Sequence, residues 1–176
     1  MNEPAFLQRR LTLVRHGQAE WKDDGSSDFD RVLHRRGLSE ATGMARRCRE
    51  QGWIPDLILA SSAQRTQQTA QCFMRELDLP GRRLQVAESM YLAGQSDLLN
   101  VTRGTGPRIA HLMLVGHNPG LTEFAQFLAP SAGLGIFDTG ALCTLRLDLS
   151  DWRELDAGLA RDVQYEAPRR LFDFLN

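Results

Sequence analysis

The sequence predicts an α/β protein, a three-layer sandwich whose mostly parallel central sheet carries helices on both faces. Three observations predict it. Short apolar runs alternate with longer stretches of helical periodicity, in the order strand, helix, strand, helix. The apolar runs are continuous, as strands buried on both faces require. The residues that could carry chemistry follow the ends of those runs, where open α/β sheets place their ligands. The chain has 176 residues, 42% of them hydrophobic and 24% charged, and no repeat or linker interrupts the pattern, so residues 1–176 are read as one domain.

The run at residues 11–14 is the first strand, ending at Arg15, His16 and Gly17. Residues 18–33 are polar and rich in Asp, Ser and Gly, a length at which loops are often functional; Asp28, Asp30 and Arg31 either pair with one another or shape a lid. Ser39 is placed to cap a helix running to about Gln51, with Ala41, Met44, Ala45 and Cys48 as its apolar stripe and Gly52 and Pro55 as its stop. Residues 57–60 form the second strand. A helix over about 63–77 follows, capped by Ser61 or Ser62. Residues 84–87 are a short third strand leading into Glu88, and a brief helix starts after Ser96. His111 to Val115 form the fourth strand, ending at Gly116, His117, Asn118, Pro119 and Gly120; a helix over 122–128 turns Phe124, Phe127 and Leu128 to the core. Residues 141–149 alternate in their second half and suit an edge-like strand, while 152–176 favour no single assignment.

Composition excludes several functions. With 21 Lys and Arg against 22 Asp and Glu, the formal charge is −1, so no sequence-wide field draws nucleic acid or a membrane surface. Any anion site must be local. Cys48, Cys72 and Cys143 are odd in number and widely spaced, which excludes a disulfide framework and a zinc site. The first ten residues include an acid and no apolar core, and no apolar run approaches a membrane span, so a cytoplasmic protein is expected.

Arg15 and His16 put a fixed cation beside an imidazole where a buried strand opens, and Gly17 allows close backbone approach. Alone, this equally describes a surface arginine beside a hydrogen-bonded histidine. His117 repeats the arrangement after the fourth strand, ahead of a helix N-terminus; alone, it equally describes a turn histidine. Together the two histidines converge on one crevice. Arg65 stands in the first turn of its helix, where the dipole favours acids; this suggests an anionic ligand, and alone it equally describes a surface arginine. Glu88 is either a proton donor at the same edge or a solvated carboxylate, and His34 and His111 are read as structural. Two arginines, two histidines and one carboxylate, with no acidic cluster for a metal, fit a phosphoryl group. Arg15, Arg65 and protonated His117 would hold its oxygens, and neutral His16 would attack it. No cofactor is expected.

Three segments, LTLVRHGQAEW, SSAQRTQQTA and VGHNPGLTEF, in this order over residues 11 to 146, resemble the histidine phosphatase superfamily, also called phosphoglycerate-mutase-like. The short length, DFDRVLHRRGLSEA after the first segment and FDTGA at 137–141 are similar to the SixA-type phosphohistidine phosphatases. The resemblance implies His16 as the phosphorylated nucleophile and Arg15, Arg65 and His117 as the phosphate pocket, with Gly17 and Asn118 at the substrate. It also implies a phosphorylated protein or a small phosphoester as the partner. Ala19 and Lys22 replace the Ser and Asn of the mutase pattern RHGESxWN, which points away from a mutase. A small-molecule phosphatase and a non-catalytic phosphate-binding module stay open as other readings.

Overall fold

The computed structural model describes residues 8–21, 25 and 27–168; Lys22 and the tail beyond 168 lie outside them. Six strands form one sheet in the order β3-β2-β4-β1-β5-β6. They are β1 (Gln8–Arg15), β2 (Leu57–Ser61), β3 (Leu84–Ala87), β4 (His111–Gly116), β5 (Leu142–Asp148) and β6 (Ala160–Glu166). β1, β4, β2 and β3 pair in parallel, while β5 runs antiparallel to both β1 and β6.

Strand side chains alternate faces, so each buried strand feeds two cores. Val14, Ile58, Ala60, Met113 and Val115 pack under α1 (Arg35–Glu50) and α2 (Gln64–Glu76), through Met44, Ala45, Cys48, Ala70 and Phe73. Leu11, Leu13, Leu59, Leu112 and Leu114 pack on the other face against α3 (Gln95–Arg103) and α4 (Gly120–Leu128), through Leu98, Phe124 and Leu128. The three layers are those the sequence predicts. Phe127 is only partly buried against the second core. All three cysteines are free and buried, and burial pushes the thiols of Cys48 and Cys143 up to about 12.

Three boundaries differ from expectation, each for a local reason. α1 starts a turn before Ser39, because His34 is its N-cap: its ring Nδ1 accepts from the Arg36 N–H at 3.1 Å. Neither Ser61 nor Ser62 caps α2; Ala63 holds the cap position without a side-chain bond, and the Ser61 hydroxyl points across to β4 instead. Strand β5 is not an edge. Residues 160–166 of the segment that favoured no assignment form β6 and pair along its outer side, leaving β6 and the half-exposed β3 as the edges.

The chain after β1 is held by close backbone contact. A Cβ on Gly17 would lie 2.5 Å from the carbonyl oxygen of Gly37 in the first turn of α1, and one on Gly37 would meet the Gln18 carbonyl. These glycines let α1 sit on the main chain beside His16.

Candidate active site

β1, β2 and β4 run in parallel, so their carboxyl ends open on one side of the sheet, and the pocket forms there. Arg15 is the last residue of β1, and His16 follows it. The His16 N–H bonds the Gly116 carbonyl at the end of β4, and its own carbonyl accepts from Gly140 N–H. His117 follows β4 directly. The two imidazoles lie edge to face with centroids 5.4 Å apart, so the histidines do converge on one crevice.

Hydrogen bonding fixes both tautomers. His16 Nδ1 is 2.8 Å from the Gly17 carbonyl, which can only accept, so Nδ1 carries the proton and Nε2 keeps a lone pair. Arg65 Nε faces that lone pair at 3.3 Å. At His117, Arg65 Nη2 faces Nδ1 at 3.4 Å and can only donate, so the proton sits on Nε2 and is given to Ser61 Oγ at 2.7 Å.

Burial, with Arg65, His117 and Arg15 as like charges, takes the His16 pKa down to about 3, its bond to Gly17 opposing. Burial and Arg65 take His117 down to about 4, with Asp28 opposing. Burial first, and then repulsion from Arg65 and Arg15, disfavours a proton on His117 in the protein alone; the charged form expected from sequence is that of the pocket with a phosphoryl group in it.

Arg65 projects from the first turn of α2 with its side chain 4% exposed. Its Nη1 donates to the Asp28 carbonyl at 2.5 Å and its Nη2 to Asp28 Oδ2 at 2.9 Å. Arg31 holds the other carboxylate oxygen of Asp28 at 3.0 Å, and Tyr91 donates its hydroxyl to Oδ2 at 3.2 Å. Burial raises the Asp28 carboxyl, but the bonds from Arg31, Arg65 and Tyr91 outweigh it and leave the group below its ordinary value. Of the two roles foreseen for Asp28, pairing with Arg31 is present. Its grip on Arg65 was not anticipated.

Arg15 is held from the other side. Its Nη1 donates to the Phe137 carbonyl at 2.6 Å, the same oxygen that accepts from Asn118 Nδ2 at 3.0 Å. Asn118 also accepts from the Thr122 hydroxyl, so its amide braces the 137 loop from α4. Arg15 Nε is buried with no partner among the described residues. Gly17 N–H bonds Thr69 Oγ1, and Thr69 in turn donates to the Arg65 carbonyl, tying the segment after β1 to α2.

Glu88 begins the 3-10 turn Glu88–Met90 and is exposed. The side chain that reaches the histidines from this part of the chain is Tyr91, whose ring lies edge-on to His117 at 5.7 Å. Tyr91 carried no signal in the sequence, whereas Ser61 had one: it ends a strand. His34 caps a helix and His111 sits at the far end of β4, so both are structural, as expected.

Fold and pocket together define an α/β protein with a cationic, imidazole-bearing crevice at its strand ends. The model of the histidine phosphatase superfamily (branch 1) matches residues 11–87. An uncharacterized chloroplastic protein of Arabidopsis thaliana is 32% identical over 131 residues, covering 70% of this chain, which spans 60% of that protein's length. An uncharacterized protein of Mycobacterium tuberculosis is 29% identical over 171 residues, covering 89% of this chain and 100% of that one. The crystal structure of the putative phosphohistidine phosphatase SixA from Agrobacterium tumefaciens superposes with a TM-score of 0.75 at 29% identity, covering 91% of this chain and 98% of that one. The first half of the chain matches the histidine phosphatase superfamily model, and its fold is that of the SixA-like structures. This kinship supports phosphatase activity.

Proposed function

We propose that the protein is a metal-independent phosphatase that works through a phosphohistidine on His16 and takes phosphohistidine in proteins as its substrate. The observation that carries this reading is the bare His16 Nε2 lone pair, fixed by the Nδ1 bond to Gly17 and facing Arg65 and His117. A phosphoryl group placed there meets a neutral nucleophile with two arginines around it. Its negative charge reverses the local potential and raises the His117 pKa, so that a proton on Nδ1 becomes favourable.

In the first step His16 Nε2 bonds to phosphorus as the bond to the substrate's imidazole nitrogen breaks, and the departing ring, protonated beforehand on its other nitrogen, keeps the electron pair and leaves as neutral imidazole. Water then attacks phosphorus, His16 Nε2 recovers its lone pair, and inorganic phosphate leaves with the protons of the water. Positive charge for both steps comes from Arg15, Arg65 and His117. The choice of a protein phosphohistidine rests on the likeness to the Agrobacterium protein.

Rapid quench with a labelled phosphohistidine protein should trap acid-labile, base-stable phosphate on the wild-type chain and none on His16→Ala. Labelling of His16→Ala at the wild-type level would overturn the assignment. EDTA should leave the rate unchanged; loss on chelation with recovery on adding Mg²⁺ would show that a metal supplies the charge.

A further inference from the structure

The side chain of Arg65 uses its two edges for different purposes. Its end edge, Nη1 and Nη2, grips Asp28 through both a main-chain carbonyl and a carboxylate oxygen. Its side edge, Nε and Nη2, faces His16 Nε2 and His117 Nδ1. A planar guanidinium held along one edge cannot rotate, so the second edge is aimed. Asp28 is itself held from two directions, by Arg31 on Oδ1 and Tyr91 on Oδ2. It is half exposed, yet its partner Arg65 is almost wholly buried.

We propose that Asp28 is the positioning residue of the reaction: it aims the side edge of Arg65 at the phosphoryl group and keeps that aim throughout the cycle. The inference rests on the phosphatase reading and adds a residue to it. A carboxylate on the arginine of an anion site could instead be a competitor that substrate must displace. The edge assignment argues against this, because a phosphoryl group between the imidazoles meets the side edge while Asp28 keeps the end edge. A second consequence follows from charge. His117 is surrounded by Arg65 from α2, Arg15 and His16 from the end of β1, Ser61 from β2, Tyr91 after β3 and Asp28 from the 28–30 turn. Asp28 is the only anion among these, and it supports the proton that His117 takes up when phosphate binds.

The test compares wild type with Asp28→Asn, Asp28→Ala and Tyr91→Phe in two measurements. With an aryl phosphate as substrate, Asp28→Ala should lower kcat on the order of 10²-fold, the scale of a small misplacement of an aimed group. Asp28→Asn, which keeps an acceptor oxygen, should lose less, and Tyr91→Phe least. A lower KM with kcat retained would show Asp28 to be a competitor for Arg65 and overturn the proposal, as would unchanged kcat in all three. The second measurement needs no turnover. With inorganic phosphate bound, the His117 titration followed by NMR should move down by about 1 unit in Asp28→Asn, the low end for loss of a nearby opposite charge. An unmoved titration would overturn the charge role. Failure of the phosphatase reading itself would appear elsewhere, as labelling that does not depend on His16.

Discussion

His111 opens β4 and His117 follows its end, so one strand carries a buried histidine at each pole. Burial and nearby arginines take both rings down to about 4. Their surroundings differ. His111 Nε2 bonds Thr12 Oγ1, which continues to Thr144 Oγ1 across β1 and β5, and its ring also bonds the Ile54 main chain. Close by, Arg9 spends its guanidinium on the Pro107, Ile109 and Ser150 carbonyls and lies over the Trp152 ring. Both terminal nitrogens of Arg9 meet carbonyl acceptors there, although its Nε, like that of Arg15, has no partner among the described residues. At the other pole His117 Nδ1 faces only a cation, and His16 Nε2 faces the same cation. A depressed histidine thus does not mark a site; polar groups whose best partner would be an anion do.

The largest effect that separates the two poles is loss of the nucleophile. His16→Ala should lower turnover on the order of 10⁴-fold or more, with folding intact. His111→Ala should leave kcat within about 3-fold and cost about 1–3 kcal/mol, because Thr12 loses a buried partner. Turnover and urea unfolding of the two variants check this, and a large kcat loss in His111→Ala would erase the contrast.

Next comes the arginine pair. Arg65→Ala should cost on the order of 10²- to 10³-fold in kcat, the scale of one transition-state donor. Arg9→Ala removes the charged donor shared by the Pro107, Ile109 and Ser150 carbonyls and should instead destabilise by about 1–3 kcal/mol with kcat retained. The same two assays decide.

A smaller effect is carried by pH. His16, His111 and His117 all lie below the ordinary value of about 6.5 when folded, so between about 3 and 6.5 the unfolded chain binds more protons. Stability is therefore complete above about 6.5 and is lost as pH falls through the folded values. Inorganic phosphate should weaken this acid loss by raising His117 while leaving the titration of His111 unmoved. NMR titration with and without phosphate reads both rings, and equal shifts would contradict the division between the poles.

The layers and strand ends were legible because the buried strands are continuous and each ends at a histidine, serine or arginine that periodicity does not explain. Arg65 was legible because it sits against its helix dipole. The supports were less so. Tyr165 of β6 holds Asp138 N–H and meets the Phe137 ring edge to face, and the Phe137 carbonyl holds Arg15, yet β6 shows no apolar run because its outward side faces solvent. The Arg65 grip by Asp28 and the approach of Tyr91 join parts of the chain far apart in sequence, which spacing cannot reveal. That His117 can take its proton only against burial and the repulsion of two arginines appears only once those groups are placed.

Glu88 gives the smallest expected effect and the sharpest test of substrate. It is exposed on the turn before Tyr91, whereas the side chains around the histidines are buried or braced. An alkoxide leaving group is strongly basic, and a positioned acid contributes roughly 10²- to 10⁴-fold to its departure. A phosphorylated imidazole needs less help, since its ring has an ordinary pKa of about 6.5 and leaves once protonated. If the pocket serves phosphohistidine, Glu88→Gln should change kcat/KM on a phosphohistidine protein by less than about 3-fold, within what a surface substitution produces. Wild type should turn over an alkyl phosphate poorly, and what activity it has there should fall further in the variant. Equal large losses on both substrates would bring Glu88 into the site as an acid. A wild type that prefers the alkyl ester would move the substrate from protein phosphohistidine to a small phosphoester.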